Sequence, residues 1–165
     1  MNIILLSLIN KLNLLFREEP EITEKEPEYF LTYWNPFGGK PVQVSYSPAD
    51  DIKVILNKTP RYYPQDESST ERLLRDVENY ITGKTVSLDY TDHHGNESKT
   101  DRITKASDAE ALTPESLVEL AIRINLLNSV DLKYLLVNGG TVNIHFWDPG
   151  KDFRYRQIGS SLKKI

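Results

Sequence analysis

The chain has 165 residues, with 39% apolar and 27% charged residues and a formal net charge of −4 at pH 7. This composition predicts one folded domain and excludes a wholly disordered chain, and the acidic balance argues against a general nucleic-acid binder. The absence of cysteine excludes disulfides, zinc–thiolate sites and thiol nucleophiles, and it fits a cytoplasmic protein.

The N-terminal segment is strongly apolar and predicts an amphipathic helix over residues 1–17. It is too short to span a bilayer, and it lacks the basic start and the cleavage site of a signal peptide. We favour packing of this helix on its own domain, while binding to a partner protein or to a membrane surface stays open. One helical face collects most of the large apolar side chains, namely Leu5, Leu8, Ile9, Leu12, Leu15 and Phe16.

Residues 18–28 contain six acidic residues, one lysine and two prolines. A segment of this composition cannot contribute to a core, so it predicts an acidic linker or an extended arm. The remaining residues, 29–165, are then expected to form a single domain.

Within that domain the sequence predicts hairpins that are interrupted by helices. Turn residues and apolar alternation indicate the strands, and N-cap residues followed by apolar stripes indicate the helices. The predicted elements are a hairpin (29–34 and 42–46), a short helix from Ser47, a loop over 61–63, a helix (69–82), a hairpin (86–90 and 98–105) and a helix (113–128).

Residues 131–158 carry the strongest strand signal and predict a three-stranded antiparallel meander. Asn138-Gly139-Gly140 is typical of a tight hairpin turn, and Asp148-Pro149-Gly150-Lys151 is typical of a second turn. Because hairpins alternate with helices, we expect an α+β fold. Its antiparallel sheets would be packed by two or three helices in addition to the N-terminal one.

No pattern in the chain marks a catalytic centre, a metal site or a cofactor site. Asp92-His93-His94 resembles the motif of the DHH phosphoesterases, but the chain lacks the further Asp and His motifs that those enzymes use. A solvated turn is therefore the favoured interpretation. His145 lies in a predicted strand and is expected to be a hydrogen-bonded structural histidine.

The candidate partner-binding residues lie mainly near the C-terminus, where Arg154 and Arg156 alternate with aromatic side chains. Alternation places the two arginines on one face of the strand and Phe153 and Tyr155 on the other. The full set of candidates is Arg154, Arg156, Tyr155, His145, Trp147, Tyr62 and Tyr63.

These observations favour a non-catalytic protein-interaction module, such as a toxin-neutralising immunity-type protein or another small inhibitor. Its partner would be another protein with an acidic or toxin-like surface. Two alternatives stay open. The first is a β module that senses a ligand or nucleic acid through the basic C-terminal strand. The second is an enzyme of an unmarked class that uses His145 or the His93–His94 pair.

Overall fold

Two five-stranded antiparallel sheets, one in each half of the chain, form the framework of the protein. The computed structural model describes residues Met1–Ile165 and groups them into two units, Met1–Thr82 and Gly83–Ile165. Each unit adds helices to its own sheet, so the predicted α+β class is confirmed. The sequence predicts a single domain over residues 29–165, which differs from this division. The sequence does not reveal the boundary at residue 82 because no linker-like composition marks it.

The first unit is a five-stranded meander with two helices. Its strands lie in the sheet in chain order. The elements are α1 (Ile3–Phe16), β1 (Glu21–Lys25), β2 (Glu28–Tyr33), β3 (Val42–Tyr46), β4 (Ile52–Ile55), β5 (Pro60–Tyr63) and α2 (Glu67–Ile81).

Helix α1 forms where the apolar periodicity predicts it, and it belongs to the first unit. Its start is capped by Asn2, whose side chain accepts a hydrogen bond from the backbone of Leu5 at 2.8 Å. One face of the helix is buried through Leu5, Leu8, Ile9 and Leu12. At its end Phe16 stacks on Tyr33 of β2, with ring centroids 4.2 Å apart. Helix α1 therefore packs within its own unit, which is the arrangement that the sequence favours.

The acidic segment contains strand β1, which pairs with β2 along its whole length. All five of its side chains are exposed, so the strand forms the outer edge of the sheet without contributing to the core. The expectation of an extended arm describes these residues better than that of a linker. An edge strand needs only backbone pairing on one side, and a charged sequence can supply this.

Two short elements of the first unit differ from their predictions. The helix expected from Ser47 is absent, and Ile52–Ile55 forms strand β4 because Ile52 and Val54 alternate into the core. The predicted loop over 61–63 is strand β5. Pro60 occupies the first position of this edge strand, where a missing amide hydrogen costs no ladder bond.

The second unit has the sheet order β10-β9-β8-β6-β7. Its helices lie in the long connection between the second and third strands of the unit. The elements are β6 (Thr85–Thr91), β7 (Arg102–Lys105), α3 (Ala106–Ala109), α4 (Pro114–Arg123), α5 (Ser129–Val137), β8 (Thr141–His145), a 3₁₀ turn (Pro149–Lys151), β9 (Phe153–Ile158) and β10 (Ser161–Lys164).

The core of this unit lies between one face of the sheet and helices α4 and α5. Leu88 of β6 and Ile144 of β8 are fully buried against leucines of both helices. Helix α4 begins where the sequence predicts it, with Thr113 as N-cap and Pro114 as its first residue. Strand β7 lies at a sheet edge, as its polar sequence predicts.

The predicted first strand of the C-terminal meander is wrong, because residues 129–137 form helix α5. The meander exists one strand later and consists of β8, β9 and β10. Leu132, Leu135 and Leu136 are buried at helical spacing, and Asn128 caps the helix by accepting from the backbone of Asp131 at 2.8 Å.

The Asn-Gly-Gly sequence ends this helix and does not form a hairpin turn. The backbone of Gly140 donates to Leu135 and that of Gly139 to Leu136, which is the Schellman pattern of a helix C-terminus. Gly139 has φ of +89°. A Cβ on Gly140 would lie 2.7 Å from the Leu135 side chain and 2.8 Å from the carbonyl oxygen of Thr91. Both glycines are therefore required by the cap and the close strand behind it.

None of the five helices is both long enough and apolar enough to cross a membrane.

Candidate protein-binding surface

One face of the second sheet packs on the helices, and the opposite face is largely polar, with Ile103, Ile158 and Ile165 as apolar members. Alternation along each strand produces this division, and the register between strands aligns the polar side chains in rows. In the order of the strands, the polar face carries Ser87, Asp89 and Thr91 of β6, Thr141, Asn143 and His145 of β8, Arg154 and Arg156 of β9, and Lys163 of β10.

The basic row consists of Arg154, Arg156 and Lys163, and it occupies the outer two strands of this face. Arg156 is the direct register partner of Lys163, and Arg154 lies two residues from Arg156 on the same strand. All three residues are exposed. The predicted candidates Arg154 and Arg156 are thus accessible, and the structure adds Lys163 to them.

No ion pair or hydrogen bond engages the three basic side chains. On the inner side, the register partners of Arg156 and Arg154 are the neutral residues Thr141 and Asn143 of β8. Like charges directly opposite each other on neighbouring strands destabilise a sheet by a few tenths of a kcal/mol, to about 1 kcal/mol. The Arg156–Lys163 pair therefore contributes nothing to the fold that could explain its position.

The His145 cluster lies next to the basic row and consists of Asp89, Asn143, His145 and Asp152. The imidazole is held between two carboxylates, with Nε2 at 2.9 Å from Asp89 Oδ1 and Nδ1 at 3.2 Å from Asp152 Oδ2. Asn143 donates to Asp89 at 2.8 Å, and Asp152 also accepts from the backbone of Phe146 at 2.7 Å. The cluster thus connects β6, β8 and the segment between β8 and β9.

These contacts raise the pKa of His145 above its ordinary value of 6.5. Burial acts in the opposite direction and is the largest single effect, because it disfavours the charged ring. The hydrogen bonds and negative charges of Asp89 and Asp152 together outweigh the effect of burial on this pKa. The imidazolium form, which donates to both carboxylates, is therefore the form that this arrangement stabilises.

A histidine in this position has little capacity for proton transfer to a substrate. A general base needs an accessible nitrogen lone pair, and both ring nitrogens of His145 already face a carboxylate. Thr91 lies close to the cluster, but its hydroxyl oxygen accepts a hydrogen bond from Asn143 at 2.9 Å. The geometry is that of a structural polar network, which agrees with the interpretation of His145 favoured by the sequence.

Three of the sequence-predicted candidates are buried in the fold, so their assignment to a partner surface is wrong. Tyr155 is 3% exposed, and its hydroxyl donates to the carbonyl of Ala109 at 2.6 Å. Tyr63 is also buried and donates to Asp76 at 2.7 Å, and Trp147 is buried at the end of β8. Burial of the large apolar surface of an aromatic side chain is favoured over exposure when its polar group finds a hydrogen-bond partner in the core.

Tyr62 is the one aromatic candidate that the structure leaves accessible, with 59% of its surface exposed. It belongs to the first unit and borders a shallow groove of about 530 Å³. The carboxylates of Glu28, Asp50 and Asp51 line the same groove together with Lys53. This surface is acidic, and it differs in charge from the basic row.

The His93–His94 pair lies at the tip of the turn between β6 and β7, and both residues are exposed. Asp92 shapes this turn by accepting from the backbone of His94 and of Asn96, each at 2.9 Å. The histidine rings contact each other, with centroids 3.9 Å apart. No group of three or more potential ligands in the chain is arranged to hold a metal ion.

Helix α5 exposes an apolar stripe, which could not be recognised while these residues were predicted to form a strand. Val130, Tyr134 and Val137 are separated by four and three residues, and each is at least 65% exposed. Val137 also borders a groove of about 580 Å³ that lies along α4 and α5. On a strand these residues would not share one face, so only the correct assignment as a helix finds the stripe.

The sequence shows Lys163 as part of a basic C-terminal end, but sequence reasoning did not place it on a strand beside the arginines. It also missed Asp89 and Asp152 as partners of His145. Gly159-Ser160 followed by alternating residues was an available signal for β10. The pairing of β6 with β8 had no local signal, because about 50 residues and three helices separate the two strands.

Comparisons with known proteins give this surface no assigned role. A scan against protein-family models found no match. Searches of curated proteins and of solved structures found no match either.

Proposed function

We propose that the chain is a non-catalytic protein-interaction module whose partner presents an acidic surface to the basic row. The observation that supports this function is the set of three exposed cations, Arg154, Arg156 and Lys163, without an ion pair of their own. A small inhibitor or immunity-type protein acts in this way when it covers the surface of a toxin-like partner.

The electrostatic repulsion within the basic row favours a partner outside the chain. Two like charges in register weaken the pairing of β9 with β10, and no carboxylate of the chain forms an ion pair with either residue. A partner carboxylate would form charge-assisted hydrogen bonds with both arginines, and a planar guanidinium can bind it through two donors at once. Binding therefore offsets an interaction that is unfavourable in the free protein.

An acidic protein fits the basic row better than single-stranded nucleic acid does. Proteins that bind single strands combine cations with aromatic side chains on which bases stack. Here the aromatic residues of β9 point to the opposite face, where Tyr155 is buried and Phe153 is partly buried in the core. The basic row offers charge and planar donors alone, and the net charge of −4 would repel a polyanion from the rest of the molecule.

The state of His145 supports the non-catalytic part of the proposal. Its two ring nitrogens are occupied by carboxylates, and the nearby hydroxyl of Thr91 already takes part in a hydrogen bond. An enzyme that used this histidine would have to break the cluster before each reaction.

Site-directed photo-cross-linking in cells that express the chain tests the proposal. A photoreactive residue replaces Ser161, which is exposed and lies on the same face of β10 as Lys163. We expect a discrete protein adduct, and the double variant Arg154→Glu/Arg156→Glu should lower its yield at least about tenfold. Cross-linking from Lys99, which is exposed in the loop before β7, serves as the matched control and should not respond to the arginine changes.

Two outcomes would contradict the proposal. An adduct that consists of nucleic acid, and is lost on nuclease treatment, would support the sensing alternative instead. A protein adduct of the same yield with and without the two arginines would show that the basic row is not the contact surface.

A further inference from the structure

We infer that the free edge of strand β10 is a strand-addition site for an extended acidic segment of the partner. The incoming segment pairs with β10 as a sixth strand of the second sheet and places a carboxylate beside the basic row. This inference rests on the proposed function, because it specifies how the acidic partner is held. It adds backbone recognition to a surface that has so far been described by charge alone.

Strand β10 is the last strand on its side of the sheet, with β9 as its single neighbour. The ladder between the two strands shows which backbone groups remain free. The amide of Arg154 donates to the carbonyl of Ile165 at 3.0 Å, and the amide of Ile165 donates to the carbonyl of Arg154 at 2.8 Å. Such mutual pairs alternate along an antiparallel ladder, so Lys163 and Ser161 also point their backbone groups toward β9.

The intervening residues, Leu162 and Lys164, therefore direct their amide and carbonyl groups away from the sheet. Neither backbone makes a hydrogen bond on that side. An added strand would gain about four backbone hydrogen bonds there, two at each residue. A row of unpaired donors and acceptors of this kind is the template that strand-addition complexes use.

The side chains of β10 determine which segment this edge accepts. Lysines on an edge strand are a common protection against uncontrolled pairing, since they repel basic strands and stay solvated beside apolar ones. This protection does not act against an acidic strand. The partner residue opposite Lys163 lies on the face of the basic row, next to Lys163 and Arg156, where a glutamate or aspartate is favoured.

The opposite face adds a second preference. Leu162 packs partly on the core of the unit, and the ammonium group of Lys164 lies 3.8 Å from the ring centre of Phe153. A partner residue beside Leu162 is therefore favoured when it is apolar, and one beside Lys164 when it is acidic. The segment expected on β10 is an extended strand in which two consecutive acidic residues are flanked by β-branched apolar residues.

A capped seven-residue peptide, Thr-Val-Glu-Glu-Val-Glu-Thr, is the probe for this site. NMR titration of the full chain with this peptide should shift the amide signals of residues 161–165 and should slow the hydrogen exchange of the Leu162 and Lys164 amides. A peptide with the same sequence, N-methylated at alternate residues, keeps every charge but loses the donors on one edge. We expect the methylated form with the β10-facing amides blocked to bind at least about fivefold more weakly, as loss of a backbone hydrogen bond implies.

A matched pair of variants tests the same point from the protein side. Lys164→Ala and Lys164→Pro remove the same charge, but only proline removes the outward amide hydrogen. This amide does not belong to the β9 ladder, so proline is tolerated there as it is on other edge strands. We expect Lys164→Pro to bind the peptide at least about fivefold more weakly than Lys164→Ala.

The possible results separate this inference from the proposed function. Equal affinity for methylated and unmethylated peptides, with both lost in Arg154→Glu/Arg156→Glu, overturns strand addition and leaves charge-based binding intact. Absence of any peptide binding also overturns strand addition, while the cross-linking experiment decides the proposed function. Concentration-dependent self-association that Lys164→Pro abolishes would place the acidic strand β1 of a second copy on this edge. That result would overturn the inference of a separate partner.

Discussion

The His145 cluster and the basic row lie side by side on one face of one sheet, but the charges of the cluster are paired and those of the basic row are not. Asn143 of the cluster is the direct register partner of Arg154 in the row. In the cluster each charged group meets a partner from another part of the second unit. In the basic row, three cations meet no partner at all. The comparison separates polar groups that are paired within the fold from charges that are not, and our proposal assigns a binding role to the unpaired charges.

The largest expected effect is on stability, and it should fall on the cluster alone. His145→Ala removes two hydrogen bonds to charged groups and should lower the free energy of unfolding by about 2–3 kcal/mol. Arg154→Ala, one strand away, should change it by less than about 0.5 kcal/mol, because its side chain is exposed and unpaired. Urea unfolding followed by tryptophan fluorescence measures both. An equal loss in the two variants would remove the distinction between the regions.

The second effect is the pH dependence of the cluster. Because the folded state raises the pKa of His145, its contribution to stability is fully present below the unfolded value of 6.5. This contribution is lost as pH rises through the folded-state value. The difference in unfolding free energy between the native chain and His145→Gln should therefore shrink when pH increases from about 6 to about 9.

His93→Gln is the matched control for this measurement, since it removes an exposed histidine that contacts no carboxylate. Its unfolding free energy should follow that of the native chain across the same range. A difference between the native chain and His145→Gln that grows with pH would contradict the imidazolium assignment.

The smallest effect concerns the basic row and has the opposite sign. Lys163→Glu replaces a like-charge pair with an opposite-charge pair across β9 and β10, and it should stabilise the fold by about 0.5 kcal/mol. Binding to the proposed acidic partner should weaken in the same variant. Lys99→Glu, which changes the net charge equally without a cross-strand partner in register, should leave both properties almost unchanged. Loss of stability in Lys163→Glu would indicate that the row serves the fold.

Local sequence signals predicted most of the elements of the fold and about half of the accessible candidate residues. The caps of α4 and the alternation of β3 and β9 were sufficient to locate those elements. The same kind of signal failed at residues 129–140, where Asn-Gly-Gly fits either a hairpin turn or a helix C-terminus. Both structures need positive φ, so the choice depended on whether Leu132, Leu135 and Leu136 would find a core at helical spacing.

The candidate residues divide in a comparable way. Alternation correctly placed Arg154 and Arg156 on a face of their own, because it depends only on the pleat of a single strand. It could not show that Tyr155 finds a hydrogen-bond acceptor at Ala109, which is distant in the sequence. Tyr63 and Trp147 were misassigned for the same reason, since burial of an aromatic residue depends on what the rest of the chain places over it.

By itself, the sequence determined the α+β class, most helix and strand positions, and the exposure of two arginines. These properties follow from periodicity, capping and turn chemistry over short stretches of chain. The tertiary structure alone decided that two sheets belong to two units, that His145 meets Asp89 and Asp152, and that Lys163 joins the arginines at an open edge. Each of these depends on pairing between strands, and strand order is set by packing of the whole unit, which no local pattern encodes.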